Sequence, residues 1–212
     1  MAVKVFQATS NHDTSDMFTK EGFKMVNYLD ESVDLVVFNG GGDISPSLYG
    51  EKPLKGTYAA PLRDKAELDI YHRALDMKIP MAGICRGAQL LNVMNGGKLW
   101  QDVNNHGNGI HAILDIKTDR QIHVMTLHHQ MMIINKDEGE LVAYASVATE
   151  LKKADATVYQ KTGTQKDPEV VWYPKNKHLC FQSHPEFREG TTRNYFFELL
   201  NRYIFVNNGK ES

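Results

Sequence analysis

Residues 81–95, Met-Ala-Gly-Ile-Cys-Arg-Gly-Ala-Gln-Leu-Leu-Asn-Val-Met-Asn, decide how this chain folds. Met81 to Ile84 is a short apolar run directly after Pro80, which suits a buried strand. Cys85 follows without a linker, and Arg86 to Asn95 reads as a helix. A strand that runs into a helix through one residue makes a sharp turn and displays that residue at the strand's carboxyl end. Upstream the alternation recurs: Val3 to Gln7 and Val33 to Phe38 are valine-rich strand candidates, with a helix between them over Asp16 to Tyr28. Asp64 followed by Glu67 has the spacing of a capping box, which places a helix from about Asp64 to Met77. Strands alternating with helices imply an α/β fold with a mostly parallel central sheet flanked by helices.

The second half is less regular. Gln121 to Leu127, Val142 to Ser146, Val170 to Tyr173 and Leu179 to Gln182 read as strands of an extra antiparallel part, and Thr191 to Phe205 closes the chain as an amphipathic helix. Asn104 to Gly109 and Lys161 to Pro168 are expected to be mobile loops, and the tail after Val206 to fray. The 212 residues, 42% hydrophobic and 24% charged with a formal net charge of -2, are expected to form one domain over 1–212. That charge balance argues against a partner such as nucleic acid or a membrane surface. The opening MAVKVFQATS lacks the basic start and apolar run of a signal peptide, and no apolar stretch is long enough to span a bilayer, so a cytoplasmic location is expected. In such a reducing compartment the two cysteines, Cys85 and Cys180, read as free thiols.

Those thiols differ in setting. Cys180 lies inside a strand and reads as core. Cys85 is the centre of Gly83-Ile84-Cys85-Arg86-Gly87, the thiol counterpart of a hydrolase nucleophile elbow. The helix beginning at Arg86 directs unpaired amides and its positive end at the sulfur, which favours the thiolate. A thiolate nucleophile needs a base and a group to orient that base. Ser183-His184-Pro185-Glu186 supplies both, with Pro185 stiffening the backbone between imidazole and carboxylate. An acyl-transfer oxyanion would need backbone donors, for which Gly42 in the run Asn39 to Asp43 and the amide of Arg86 are the candidates. The same glycines could cradle a phosphate, but no dinucleotide or Walker pattern follows them. His106 with His111, or His128 with His129, lack the further ligand spacing of a metal site, so neither a metal nor an organic cofactor is expected.

Together these residues resemble the class I glutamine amidotransferase-like superfamily, which is flavodoxin-like in architecture, and most closely its γ-glutamyl hydrolase branch, peptidase family C26. Asn39 to Glu51, Arg63-Asp64 with Glu67, Gly83 to Asp102, Leu127-His128-His129-Gln130 and Gln182 to Glu186 carry the resemblance. Ser183 departs from it, since relatives usually place an aromatic residue before the histidine. The resemblance implies a catalytic triad of Cys85, His184 and Glu186, an oxyanion hole at Gly42 and Arg86, and a glutamyl site that includes Gln89 and His128. It further implies hydrolysis of a small-molecule γ-glutamyl amide, resembling γ-glutamyl-GABA hydrolases, through a thioester on Cys85. Two alternatives are a glutaminase subunit passing ammonia to a separate synthetase partner, and a catalytically silent binding protein of the same fold. The insertion from Pro46 to Arg63 favours the stand-alone hydrolase, and with Asn104 to His111 it would line the leaving-group side.

Overall fold

The computed structural model describes residues 2–107, 109–155, 157–162 and 165–205. The first half runs β1 (Lys4–Gln7), α1 (His12–Lys20), β2 (Lys24–Val26), β3 (Leu35–Phe38), α2 (Pro61–Asp76), β4 (Met81–Ile84) and α3 (Arg86–Met94). Then follow β5 (Lys98–Trp100), β6 (Asp102–Val103), β7 (Gly109–Asp115), β8 (Arg120–Thr126), β9 (Met131–Ile133) and β10 (Glu140–Ala145). The chain continues through β11 (Glu150–Lys152), β12 (Val158–Gln160), β13 (Asp167–Tyr173), β14 (His178–Phe181) and α4 (Thr191–Leu200).

Nine of these strands form one sheet in the order β2-β1-β3-β4-β14-β13-β10-β7-β8. Pairing is parallel from β2 to β14 and antiparallel from β14 to β8, so the α/β fold has its parallel part and its antiparallel extension in one continuous sheet. Strand alternation divides the core between two faces. Leu35, Val37, Ala82, Ile84, Leu179 and Phe181 pack on one face with Met17 and Phe18 of α1 and with Phe196, Leu199 and Leu200 of α4. Val36, Phe38, Met81 and Cys180 pack on the other with Tyr71 of α2 and Leu90 and Leu91 of α3. Cys180 is therefore core, and burial pushes its thiol far above its usual range. Among the described residues no helix is long and apolar enough to cross a membrane.

Several expected elements are revised. The helix read over Asp16 to Tyr28 starts earlier, because Asn11 accepts a hydrogen bond from the Thr14 amide at 2.9 Å as its N-cap. It ends at Lys20; the chain reverses through Gly22 (φ 84°), and Lys24–Val26 pairs beside β1 as the sheet edge. The second helix begins at Pro61, whose missing amide suits the first helical position, three residues before Asp64. No side-chain cap forms there, so Asp64 and Glu67 are not a capping box. The closing helix is regular only to Leu200 and widens into a π turn over Asn201–Phe205. β7 begins at Gly109, the last residue of one expected loop, and β13 at Asp167, inside the other. The expected frayed tail beyond Val206 lies outside the described residues.

Close backbone approach explains both glycines of the elbow. A Cβ on Gly83 would collide with the Gly87 carbonyl, and a Cβ on Gly87 would collide with the Phe38 carbonyl at the end of β3. The first turn of α3 is thus seated directly on two neighbouring strands. Because the obstacle is backbone, Gly87→Ala is expected to cost about 3 kcal/mol of unfolding free energy, the upper part of the range for overpacking. Gly107→Ala, where an added Cβ meets nothing within 4 Å, should stay within about 0.5 kcal/mol in the same urea titration.

Candidate active site

Cys85 is held at both ends by secondary structure. Its amide donates to Phe181 O at 2.9 Å, extending the β4–β14 ladder, and its carbonyl accepts from the Gln89 amide at 3.1 Å as the first bond of α3. Between these anchors the residue adopts φ 49° and ψ −107°, a conformation that L-residues rarely tolerate without surroundings that over-determine it. The side chain is 5% exposed. The Gln182 amide directs Nε2 at Sγ from 3.8 Å.

His184 and Glu186 follow β14, the strand paired with β4, which leads into Cys85. His184 Nδ1 lies 2.8 Å from Glu186 Oε1, which orients the ring and leaves Nε2, buried and without a hydrogen bond, for proton transfer. Burial opposes a charge on this imidazole, but the Cys85 sulfur and the Glu186 carboxylate outweigh it and push the pKa up to about 10. Phe187 stacks flat on the ring, with centroids 4.3 Å apart and planes at 5°. The ring is thus packed by a residue close to it in the chain. A Cβ on Gly40 would stand 3.0 Å from His184 Cε1 and 3.7 Å from Cys85 Cβ, so the glycine loop lies flush against the imidazole and Cys85. The structure therefore brings Cys85, His184 and Glu186 together at the ends of two adjacent parallel strands.

The glycine loop is tied down from below. Arg86 is fully buried, its guanidinium paired with Asp64 and Glu67 of α2, so only its backbone amide is available to an oxyanion. Glu67 also accepts from Arg63 Nε at 2.8 Å and Thr9 Oγ1 at 2.5 Å. Arg63 Nη2 in turn donates to Asn39 O at 3.1 Å. Asp43 accepts from the Tyr58 amide at 2.7 Å, while a Cβ on Gly42 would lie 3.2 Å from Tyr58 O. The two acids read as a helix cap are the counter-charges that position the elbow.

Gln89 donates through Nε2 to Gln130 O at 3.1 Å, one helical turn beyond Cys85. His128 Nδ1 lies 2.8 Å from the same carbonyl, and its Nε2 faces Glu169 at 3.8 Å. The His128 ring is thus anchored through Nδ1, while its Nε2 is buried without a hydrogen-bond partner. Its half-exposed neighbour His129 pairs with Asp43 at 2.9 Å, and that hydrogen bond raises its pKa. Sequence reasoning missed Glu169, which is fully buried beside His106, His111 and His128. His106 and His111 are near neighbours in the chain, but His128 and Glu169 come from distant segments, and strand pairing gathers them. Burial disfavours charge here, yet the neighbouring carboxylates of Asp167 and Glu169 push His106 up to about 9. Burial likewise works against the Glu169 anion, but His106, His111 and His128 hold its carboxyl well below the usual range.

Similarity to known proteins agrees with this architecture. The peptidase C26 family model matches residues 17–152. A glutamine amidotransferase-like protein of Lactococcus lactis, YvdE, is 47% identical over 85 residues, covering 40% of this chain and 36% of its own. The carbamoyl phosphate synthase small chain of Photorhabdus laumondii is 24% identical over 175 residues, covering 80% of this chain and 37% of its own. This chain thus spans less than half the length of these curated relatives. Among solved structures, a GMP synthase component from Thermoplasma acidophilum superposes with a TM-score of 0.64 at 15% identity, covering 99% of each chain. PurLQS of Thermotoga maritima gives 0.63 at 16% identity, covering 95% of this chain and 99% of that one. Fold and site together define a member of the class I glutamine amidotransferase-like superfamily. Within it, the chain belongs to the peptidase C26 family.

The buried charge cluster gives this site a measurable vulnerability. Glu67→Gln leaves Arg86 with Asp64 alone in a dry environment, and is expected to cost about 3 kcal/mol, the lower end for a broken buried pair. Denaturant midpoints at unchanged slope would check this.

Proposed function

We propose that this chain hydrolyses the side-chain amide of a small γ-glutamyl compound, glutamine or a γ-glutamyl amine, with Cys85 as nucleophile. The observation that carries the reading is His184, bonded to Glu186 on one side and left unbonded at Nε2, in a ring packed against the glycine that borders Cys85. The Cys85 thiolate attacks the amide carbonyl, and the amides of Arg86 and Gly42 receive the tetrahedral oxyanion. The His184 imidazolium gives its proton to the leaving nitrogen, so the C–N bond breaks and a γ-glutamyl thioester remains. Water then attacks the thioester while neutral His184 takes its proton. Glutamate leaves and the thiolate–imidazolium pair is restored. Gln89 shapes the glutamyl side, and His128 does so through the Gln130 carbonyl that both residues share. The cycle uses no metal or organic cofactor.

A second reading makes the chain a glutaminase subunit that delivers ammonia to a separate synthetase. It draws on the alignment of 80% of this chain with a carbamoyl phosphate synthase small chain. Assays of the purified chain on glutamine and a panel of γ-glutamyl amines separate the two. The hydrolase reading expects turnover by the chain alone; release of ammonia from glutamine only after a partner is added would sink it.

Cys85→Ala should lower kcat/KM by about 10⁴-fold or more. Glu186→Gln should lower it by about 10²- to 10⁴-fold. In the wild type the imidazolium persists to a pKa of about 10, so the alkaline limb of the rate profile should fall there. Removing the Glu186 charge takes away a group that favours the imidazolium, and the limb should move to lower pH.

A further inference from the structure

Beside Cys85 and His184, three histidines of the antiparallel half, His106 before β7, His111 on β7 and His128 after β8, gather around the buried carboxylate of Glu169 on β13. Glu169 Oε1 lies 3.0 Å from His111 Nε2, 3.3 Å from His106 Nδ1 and 3.8 Å from His128 Nε2. The donor atoms of His106, His111 and Glu169 all fall within 4.8 Å of one another.

Distance alone would make these ion pairs, but direction does not. His106 Nδ1, His111 Nε2, His128 Nε2 and Glu169 Oε1 are all buried, and none has a hydrogen-bond partner of acceptable geometry. Leaving a buried polar atom unsatisfied is costly, and such atoms gathered in one place call for a single species that satisfies them together.

The outer contacts point to what that species is. His128 Nδ1 lies 2.8 Å from Gln130 O, which fixes its proton there and leaves Nε2 as a lone pair. His106 Nε2 faces Asp167 Oδ2 at 3.4 Å, leaving Nδ1. Asp167 is itself held by Lys161 Nζ at 2.6 Å and by the amides of Val147 and Ala148 at 2.9 and 3.0 Å. The second oxygen of Glu169 accepts from Ser183 Oγ at 3.2 Å. Imidazoles that donate one ring N–H to a carboxylate or carbonyl while offering the other nitrogen are the habitual arrangement around a bound metal.

We propose that His106, His111 and Glu169 hold a divalent transition-metal ion of the zinc type, with His128 Nε2 facing the same carboxylate oxygen from 3.8 Å. Two imidazole nitrogens and one carboxylate oxygen suit zinc and its neighbours, which favour tetrahedral shells, and disfavour calcium and magnesium, which take all-oxygen shells. The ion ties β13, through Glu169, to β7 and the segment before it, through His111 and His106. Through Ser183 it steadies the strand end that carries His184. The assignment is independent of the hydrolase reading, since none of the three ligands carries the chemistry proposed there.

The test uses the full chain, stripped with a chelator, then titrated with Zn²⁺ by calorimetry and with Co²⁺ by visible absorption. One equivalent of Zn²⁺, a raised thermal midpoint and the intense visible bands of tetrahedral Co²⁺ are expected. Asp167→Asn should weaken binding about 10- to 100-fold, and His111→Ala and Glu169→Gln should weaken it further. Substoichiometric uptake by the wild type, the pale spectrum of octahedral Co²⁺, or equal binding by His111→Ala would overturn the assignment. Should a variant not fold, the wild-type stoichiometry and spectrum decide by themselves.

Discussion

The architecture of the site depends on how closely α3 can approach the sheet. At Gly83 and Gly87 the backbones of strand, helix and the neighbouring strand end are in contact, with no room for a methyl group between them. A helix seated that low cannot be joined to its strand by a relaxed turn. The connecting residue is forced to φ 49° and ψ −107°, and that residue is Cys85. Backbone strain of about 1–3 kcal/mol is retained there because bonds to Phe181 and Gln89 hold the residue from both ends. What the strain yields is placement: the sulfur projects from the carboxyl edge of the sheet, where the strand carrying His184 also ends.

A second constraint is electrostatic. Arg86 brings a guanidinium into the interior immediately after Cys85, and Asp64 and Glu67 answer it from α2. Arg63 extends the same network to the carbonyl of Asn39, so one helix, one turn and one glycine loop are locked in a common register. Arginine suits this task because its planar fork can serve two carboxylates at once.

Much of this is legible in the sequence. Met81 to Ile84 matches its strand to the residue, since its boundaries are marked chemically by Pro80 on one side and the Gly-x-Cys-x-Gly turn on the other. The meeting of Cys85, His184 and Glu186 is legible because they lie in two short contiguous motifs. The edge strand at Lys24–Val26 is not: its signal is three residues long and it gains stability only by pairing with β1. Asp64 and Glu67 mislead because their spacing satisfies a local rule, while their partner lies in another helix. Glu169 carries no local signal, and its meaning appears only when β13 and β7 bring histidines to it.

The order of the strands also says when this site can exist. β14 sits between β4 and β13, yet it is the last strand among the described residues, and Gln182 reaches Cys85 across 97 residues of sequence. While a ribosome is still synthesising the chain, α3 and the elbow can form, but β4 has an open edge where β14 belongs, and neither His184 nor Glu186 has emerged. Such long-range closure is slow and comes late. The nascent protein therefore carries Cys85 without its imidazole neighbour, and the two meet as the sheet is sealed.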